Sequence, residues 1–293
     1  MAHFVQQVLD GLASGAIYAS LALALVLIFR STHIVNFAQG EMAMFATFIA
    51  WQLFTWGVPV WAAIAATLVV AFLGGMAVER MVIRPVEGSS ELTIVIVTLG
   101  LLLVFNQGAG WIWDFIIKQF PNPFPAHVFD VGGVRTTAHT AGVVAVLLLI
   151  VLGLWALFQH TKIGLAMRAA AENPESSRLV GIRVGRMMML GWGLAAALGA
   201  LAGCLVAPRL FLEPNMMFSV TIYAFAAATL GGFDSPGGAV LGGLIVGVTE
   251  NLAGTYIPFI HQDLKILVPL LVIVAVLLVR PNGLFGHREV VRV

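Results

Sequence analysis

Runs of about twenty apolar residues recur from one end of this chain to the other. A bilayer core about 30 Å thick offers no water to satisfy backbone N–H and C=O groups. Segments of this length therefore span it only as α-helices, which bond internally. A closed barrel would instead show short segments of alternating polarity. Composition agrees: 60% of the 293 residues are hydrophobic and 10% are charged, against about 25% charged in ordinary soluble domains. The expected fold class is an all-α polytopic integral membrane protein, with residues 1–293 forming a single transmembrane domain.

Apolar runs lie near residues 9–29, 37–56, 59–78, 92–113, 141–159, 187–206 and 264–279. Two shorter runs, near 216–231 and 238–253, are split by the stretch from Gly231 to Gly238 (GGFDSPGG). The first segment has no basic n-region or clear cleavage site and reads as the start of the first span, not as a removable signal. Basic residues beside apolar helices mark the cytoplasmic side. That rule places Arg30 with His33, Arg80 with Arg84, the segment 160–186, and Arg280 with Arg288 and Arg292 in the cytoplasm. The segment 114–140 holds Lys118 and Arg135 but is diluted by prolines, and it falls outside, as do the N-terminus and the exceptional Arg209. Residue 206 is then outside and the last span must begin outside, so 216–253 crosses an even number of times. The total is about nine crossings, eight or ten also being allowed.

Gly199 and Gly203 are four apart, as are Gly243 and Gly247, a spacing that lets helix backbones approach closely. It suits packing inside a tight bundle or, alternatively, a subunit interface. Asn36-Phe37-Ala38-Gln39-Gly40-Glu41 and Gly232-Phe233-Asp234-Ser235-Pro236-Gly237 echo each other. Each sets a polar residue beside Phe, then glycine, then a helix, and interrupted helices in repeated halves are common in transport folds.

The polar island HTKIGLAMRAAAENPESSRLVGIRVGR, at about 160–186, interrupts an otherwise membrane-grade chain. Thr161 is placed to cap a helix from Ile163 to Glu172. Asn173 caps a second, with Pro174 at its first position and Glu175 in its first turn, and Gly181 suits the position just past its end. Arg168 precedes Glu172 by four residues, the spacing of an ion pair. Ala166, Ala169, Ala170 and Ala171 make an alanine-rich face, expected to be exposed and to admit a partner's groove. The bland alternative is a solvated connecting loop.

Polar residues inside spans are costly and usually face the bundle interior or a pathway. Candidates are Asn36, Gln39 and Glu41, then Asn106 and Gln107, then Glu250 and Asn251. Each also suits an interfacial cap or a helix–helix hydrogen bond. The group Asn36, Gln39 and Glu41 is the candidate lining of a substrate path. No G-x-x-x-x-G-K-[ST] run is present to cradle a triphosphate. The histidines show no H-x-x-x-H pair for a metal, and the lone Cys204 excludes a disulfide framework and a cysteine-based zinc site. No cofactor, metal or nucleic-acid partner is expected.

Four segments resemble one family. The opening GLASGAIYASLALALVLIFRSTHIVNFAQGEMAMFA is similar to the amino-terminal signature of LivH-type permeases of branched-chain amino-acid ABC transporters. RAAAENPESSRLVGIRV resembles the family's cytoplasmic coupling segment, ATLGGFDSPGGAVLGGLIVG its Gly-rich late segment, and VRPNGLFG its closing signature. They stand in the family's order over almost the whole chain. The resemblance implies a multi-pass, non-catalytic permease subunit in a bacterial inner membrane. Its partners would be a second, LivM-type permease, two cytosolic ATPase subunits and a periplasmic substrate-binding protein. Within the island, Arg168, Ala170, Ala171, Glu172 and Gly181 would couple to the ATPases. Relatives with similar signatures also carry urea, short amides and other amino acids. Two rivals remain. An ion-coupled secondary transporter would need mid-depth acidic groups, for which only Glu41 and Glu250 qualify. A membrane-embedded enzyme would need a clustered His/Asp or metal motif.

Overall fold

The computed structural model describes residues 2–32, 34–131, 134–260 and 264–286. His33, Arg288 and Arg292, counted above among the cytoplasmic basic residues, lie outside the described residues. In chain order the helices are α1 (Ala2–Thr32), α2 (Gln39–Thr55), α3 (Val60–Val78), α4 (Glu91–Trp113), α5 (Ala138–His160), α6 (Lys162–Glu172), α7 (Pro174–Leu179), α8 (Val184–Leu210), α9 (Met217–Gly231), α10 (Pro236–Tyr256) and α11 (Leu267–Val279). Each of the nine apolar runs has become one helix, and the polar island has become α6 and α7.

Among the described residues, six helices are long and apolar enough to cross a membrane: α1, α3 with its continuation to Val86, α4, α5, α8 and α10. At 1.5 Å per residue, α2 with 17 residues, α9 with 15 and α11 with 13 fall short of a bilayer core about 30 Å thick. The polytopic all-helical class therefore holds, and length and hydropathy together assign six of the nine apolar helices as full spans. One departure from the all-helical expectation lies between α4 and α5. There β1 (Val128–Val131) and β2 (Val134–Thr137) pair antiparallel, Val128 opposite Thr137 and Asp130 opposite Arg135.

The chain folds as two compact units. One comprises Leu27–Pro123 and Val146–Phe218. Its centre is α8, whose Trp192 is fully buried and whose small residues admit α2 and α3 at close range. A methyl group on Gly203 would meet the Thr47 hydroxyl and lie 2.9 Å from the Ala43 carbonyl oxygen, both on α2. One on Gly193 would lie 2.9 Å from the Phe72 carbonyl oxygen on α3. Cys204, next in sequence to Gly203, is a free thiol and is buried. Below Val78, α3 passes into a π-helical turn, Glu79–Ile83, and a 3₁₀ turn, Arg84–Val86. Such turns mark local departures from regular helix bonding.

The other unit comprises Met1–Val26, Phe124–Ala145 and Ser219–Val293. Here α10 packs on α1 through Gly243 and Gly247. A methyl on Gly243 would sit 2.6 Å from the Cα of Ala19, and one on Gly247 would strike the backbone of Gly15. Both glycine pairs named from spacing thus serve close packing within the chain. α9 and α10 form a tight hairpin, Gly242 lying against Ala227 and Gly238 against Gly231. Ser235 caps α10, accepting from the Gly238 N–H at 3.0 Å. The Gly-rich turn and the closing signature meet: Leu284 N–H donates to the Leu230 carbonyl at 2.8 Å. Gly232 and Gly283 both hold positive φ, 98° and 78°, which an L side chain rarely adopts.

Candidate functional site

The sequence Asn36 to Glu41 enters α2 through a short non-helical approach. Asn36 Oδ1 accepts from the Ala38 N–H at 3.0 Å, and Asn36 Nδ2 donates to Gln39 Oε1 at 3.2 Å. Gln39 Nε2 in turn donates to the Ala195 carbonyl, midway along α8, at 2.9 Å. Both side chains are fully buried, and buried polar groups of this kind are held by such partners. Gly199 makes room for the arrangement: a methyl there would lie 2.5 Å from Gln39 Nε2. Asn36 and Gln39 therefore tie the start of α2 to α8.

Glu41, one turn further on, belongs to a second cluster. Asn106 Nδ2, on α4, donates to Glu41 Oε2 at 3.2 Å and to the Pro214 carbonyl at 2.9 Å, and lies 3.2 Å from Asn215 Oδ1. Gln107 Nε2 donates to Asn106 Oδ1 at 3.0 Å. Glu41 and Asn106 are buried, whereas Gln107 and Asn215 are exposed. The cluster thus joins α2, α4 and the segment after α8, and turns polar groups outward. Sequence spacing named Glu41 and Asn106 separately and missed Asn215. In the other unit, Glu250 accepts from Tyr18 Oη at 3.3 Å and pairs with Lys265 Nζ at 3.6 Å. Asn251 Nδ2 donates to the Gln7 carbonyl at 2.6 Å. These two polar residues are helix–helix ties.

The island forms the expected hairpin. Thr161 Oγ1 accepts from the Gly164 N–H at 3.0 Å, and Asn173 Oδ1 from the Ser176 N–H at 2.9 Å. Pro174 opens α7, and Gly181 follows it with φ 86°. Two details differ from expectation because α6 is rotated with Gly164, Met167 and Ala170 inward. Ala170 is buried against Val184 and Met188, in a small core completed by Ile182 and Met187. Ala166, Ala169 and Ala171 are only part-exposed, so the alanine face is not the free surface. Arg168 does not pair with Glu172; its Nη1 donates to Gln159 Oε1 at 3.4 Å. The exposed residues are larger: Ile163 (52%), Leu165 (61%), Leu179 (89%) and Val180 (77%), with Glu172 and Gly181 also outward.

Arg84 is a further member that spacing did not find beyond its charge. Its guanidinium forks onto buried Glu79, with Nε to Oε1 at 3.1 Å and Nη2 to Oε2 at 2.8 Å. Nη2 also donates to the Gly185 carbonyl at 2.6 Å. Gly185 is the second residue of α8, where the hairpin ends. The foot of α3 is thereby clamped to the hairpin's exit.

Long apolar helices joined by a capped polar hairpin are the features of a multi-pass membrane protein. A profile described as "Branched-chain amino acid transport system / permease component" matches residues 7–277, and the chain belongs to that family. It is 31% identical over 305 aligned residues to the high-affinity branched-chain amino acid transport system permease protein BraD of Pseudomonas aeruginosa, with 99% of this chain and 98% of BraD covered. LivH of Escherichia coli K12, a permease protein of the same description, is 29% identical over 306 aligned residues, covering 99% and 98%. A chain of the solved structure "PsaBC from Streptococcus pneumoniae in complex with Fab" shares the fold, with a TM-score of 0.50 and 16% identity over 96% of this chain and 93% of that one.

Proposed function

We propose that this chain is the permease subunit of an ABC importer for branched-chain or related amino acids. The observation that carries the proposal is the end-to-end match to permease proteins of branched-chain amino-acid transport systems. The capped hairpin supports the mode of driving. In it, Ile163, Leu165, Leu179 and Val180 stand exposed beside Arg178 and Glu172, a composition suited to a soluble partner. Two cytosolic ATPase subunits grip this surface, a LivM-type permease completes the bundle, and a periplasmic binding protein delivers the solute. ATP hydrolysis takes place on the partners.

Movement of the hairpin reaches the bundle by two routes: its own core on α8, and the Arg84 clamp to the foot of α3. Transport follows from the different contacts made in outward- and inward-open states. Glu41, Asn106, Gln107 and Asn215 form the polar wall of the path, and Asn36 and Gln39 set its position by fixing α2 on α8. The test is uptake of labelled leucine by cells lacking their own branched-chain systems and supplied with this chain and its partners. Uptake competed by isoleucine and valine, and lost without the ATPase subunits, is expected. Uptake competed only by urea or acetamide overturns the substrate class. Uptake undiminished without the ATPases overturns the mode of driving.

A further inference from the structure

At the end of the bundle that bears the hairpin, the last turn of α1, the end of α5 and the middle of α6 surround an open cleft. It is a shallow seat open to solvent, with a cavity volume of only about 30 Å³. Leu27, Phe158, Met167 and Ala171 give it apolar walls, and Arg30 and Arg168 both line it. No carboxylate lines it among the described residues. Arg168 Nε is buried with no hydrogen-bond partner, and its Nη1 reaches Gln159 only by the long 3.4 Å bond. Among the described residues neither arginine has an ion pair within 4.0 Å. Two guanidiniums in one partly apolar cleft repel each other and leave donors unused. An anion relieves both costs, and guanidinium forks match phosphate oxygens geometrically.

The apolar surroundings narrow the choice of anion. Leu148, Leu149, Leu152 and Trp155 make an exposed stripe along α5. Phe158 continues it by one helical step into the cleft. A molecule with a phosphate at one end and hydrocarbon at the other fits both parts: its headgroup lies between the arginines and its chain along α5. Basic pockets between helices at the cytoplasmic leaflet suit anionic lipid headgroups. We infer that the Arg30–Arg168 cleft is a binding site for the phosphate of an anionic phospholipid of the inner leaflet. The site ties lipid to the hairpin, since Arg168 belongs to α6. The inference stands apart from which solute is carried, because lipid retention is read without transport.

The test is native mass spectrometry of the full chain, purified, stripped of lipid and titrated separately with phosphatidylglycerol, cardiolipin and phosphatidylcholine. Wild type should retain the two anionic lipids over phosphatidylcholine. Arg30→Gln with Arg168→Gln should weaken that retention on the order of twenty- to thirtyfold, as loss of two membrane-surface charges implies. Arg30→Lys with Arg168→Lys, which keeps the charge but not the fork, should fall between and serves as the control for folding. Equal retention of phosphatidylglycerol by wild type and the Gln pair overturns the inference. So does saturation of the cleft by inorganic phosphate at millimolar concentration, which would mark a soluble-anion site. Loss of ATPase association by the Gln pair with lipid retention unchanged also overturns it, and would mark a protein contact.

Discussion

The tie between α2 and α8 is testable at the level of a single methyl group. Gln39→Ala removes the hydrogen bond to the Ala195 carbonyl and leaves the buried Asn36 Nδ2 with only the weak Met42 thioether acceptor at 3.6 Å. A net intramolecular hydrogen bond contributes about 1 kcal/mol and an orphaned buried donor costs about 1–3. Interhelical bonds measured in membranes average nearer 0.6 kcal/mol. The expected cost is therefore about 1–3 kcal/mol. Gly199→Ala sets a methyl 2.5 Å from Gln39 Nε2, about 1 Å inside van der Waals contact. Overpacking of this kind costs about 1–3 kcal/mol. In the double variant the new methyl occupies the space vacated by the glutamine amide, so the two costs should not add. The assay is reversible unfolding in mixed micelles of wild type, both single variants and the double variant. The double variant should be more stable than the sum of the singles by at least about 1 kcal/mol. Additivity within about 0.5 kcal/mol, the range for independent sites, would refute the claim that Gly199 exists to seat Gln39.

Two other outcomes are expected at the hairpin and one at the foot of α3. Leu179→Glu with Val180→Glu, both on the outer surface of the hairpin, should abolish binding-protein-stimulated ATP hydrolysis in the assembled transporter while membrane insertion stays normal. Ala170→Trp, by contrast, should disorder the hairpin's own core, visible as new protease cleavage between residues 160 and 186 even without partners. Arg84→Ala strands Glu79, whose side chain is 2% exposed. Breaking a fully buried pair costs about 3–5 kcal/mol; with Arg84 30% exposed, about 2 is expected, measured by unfolding in micelles and partly rescued by adding Glu79→Gln.

What the sequence makes legible here is local. Helix ends are written in adjacent residues, so Thr161, Asn173, Pro174 and Gly181 are enough to announce the island hairpin. Apolar runs announce the nine helices, and Gly-x-x-x-Gly spacing announces the close contacts of α8 and α10. What stays hidden is helix rotation. In a bilayer the outside of a bundle is as apolar as its inside, so hydrophobic periodicity does not say which face points inward. In the polar hairpin the cause is different: alanine is too small and weakly apolar to fix which face of α6 turns inward, so Ala170 reads as exposed and proves buried, and Arg168 reads as a partner for Glu172 but turns into the cleft. Long-range partners are hidden likewise. Gln39 meets Ala195 across 156 residues of sequence, and Arg84 meets Gly185 across 101. The crossing count is not fixed by hydropathy for a different reason: α2, α9 and α11 are too short for a full span, and hydropathy does not distinguish a short span from a helix held within the bundle.

The central claim is that partner ATPases, and not an ion gradient, drive this permease through its hairpin. Its most direct test is uptake into proteoliposomes holding the chain with a second permease and two ATPase subunits, with loaded binding protein outside and ATP enclosed. Leucine should accumulate only with hydrolysable ATP, should continue when ionophores collapse proton and sodium gradients, and should stop in the Leu179→Glu, Val180→Glu complex. Accumulation by this chain alone in response to an imposed ion gradient, without ATP or ATPases, would contradict the account.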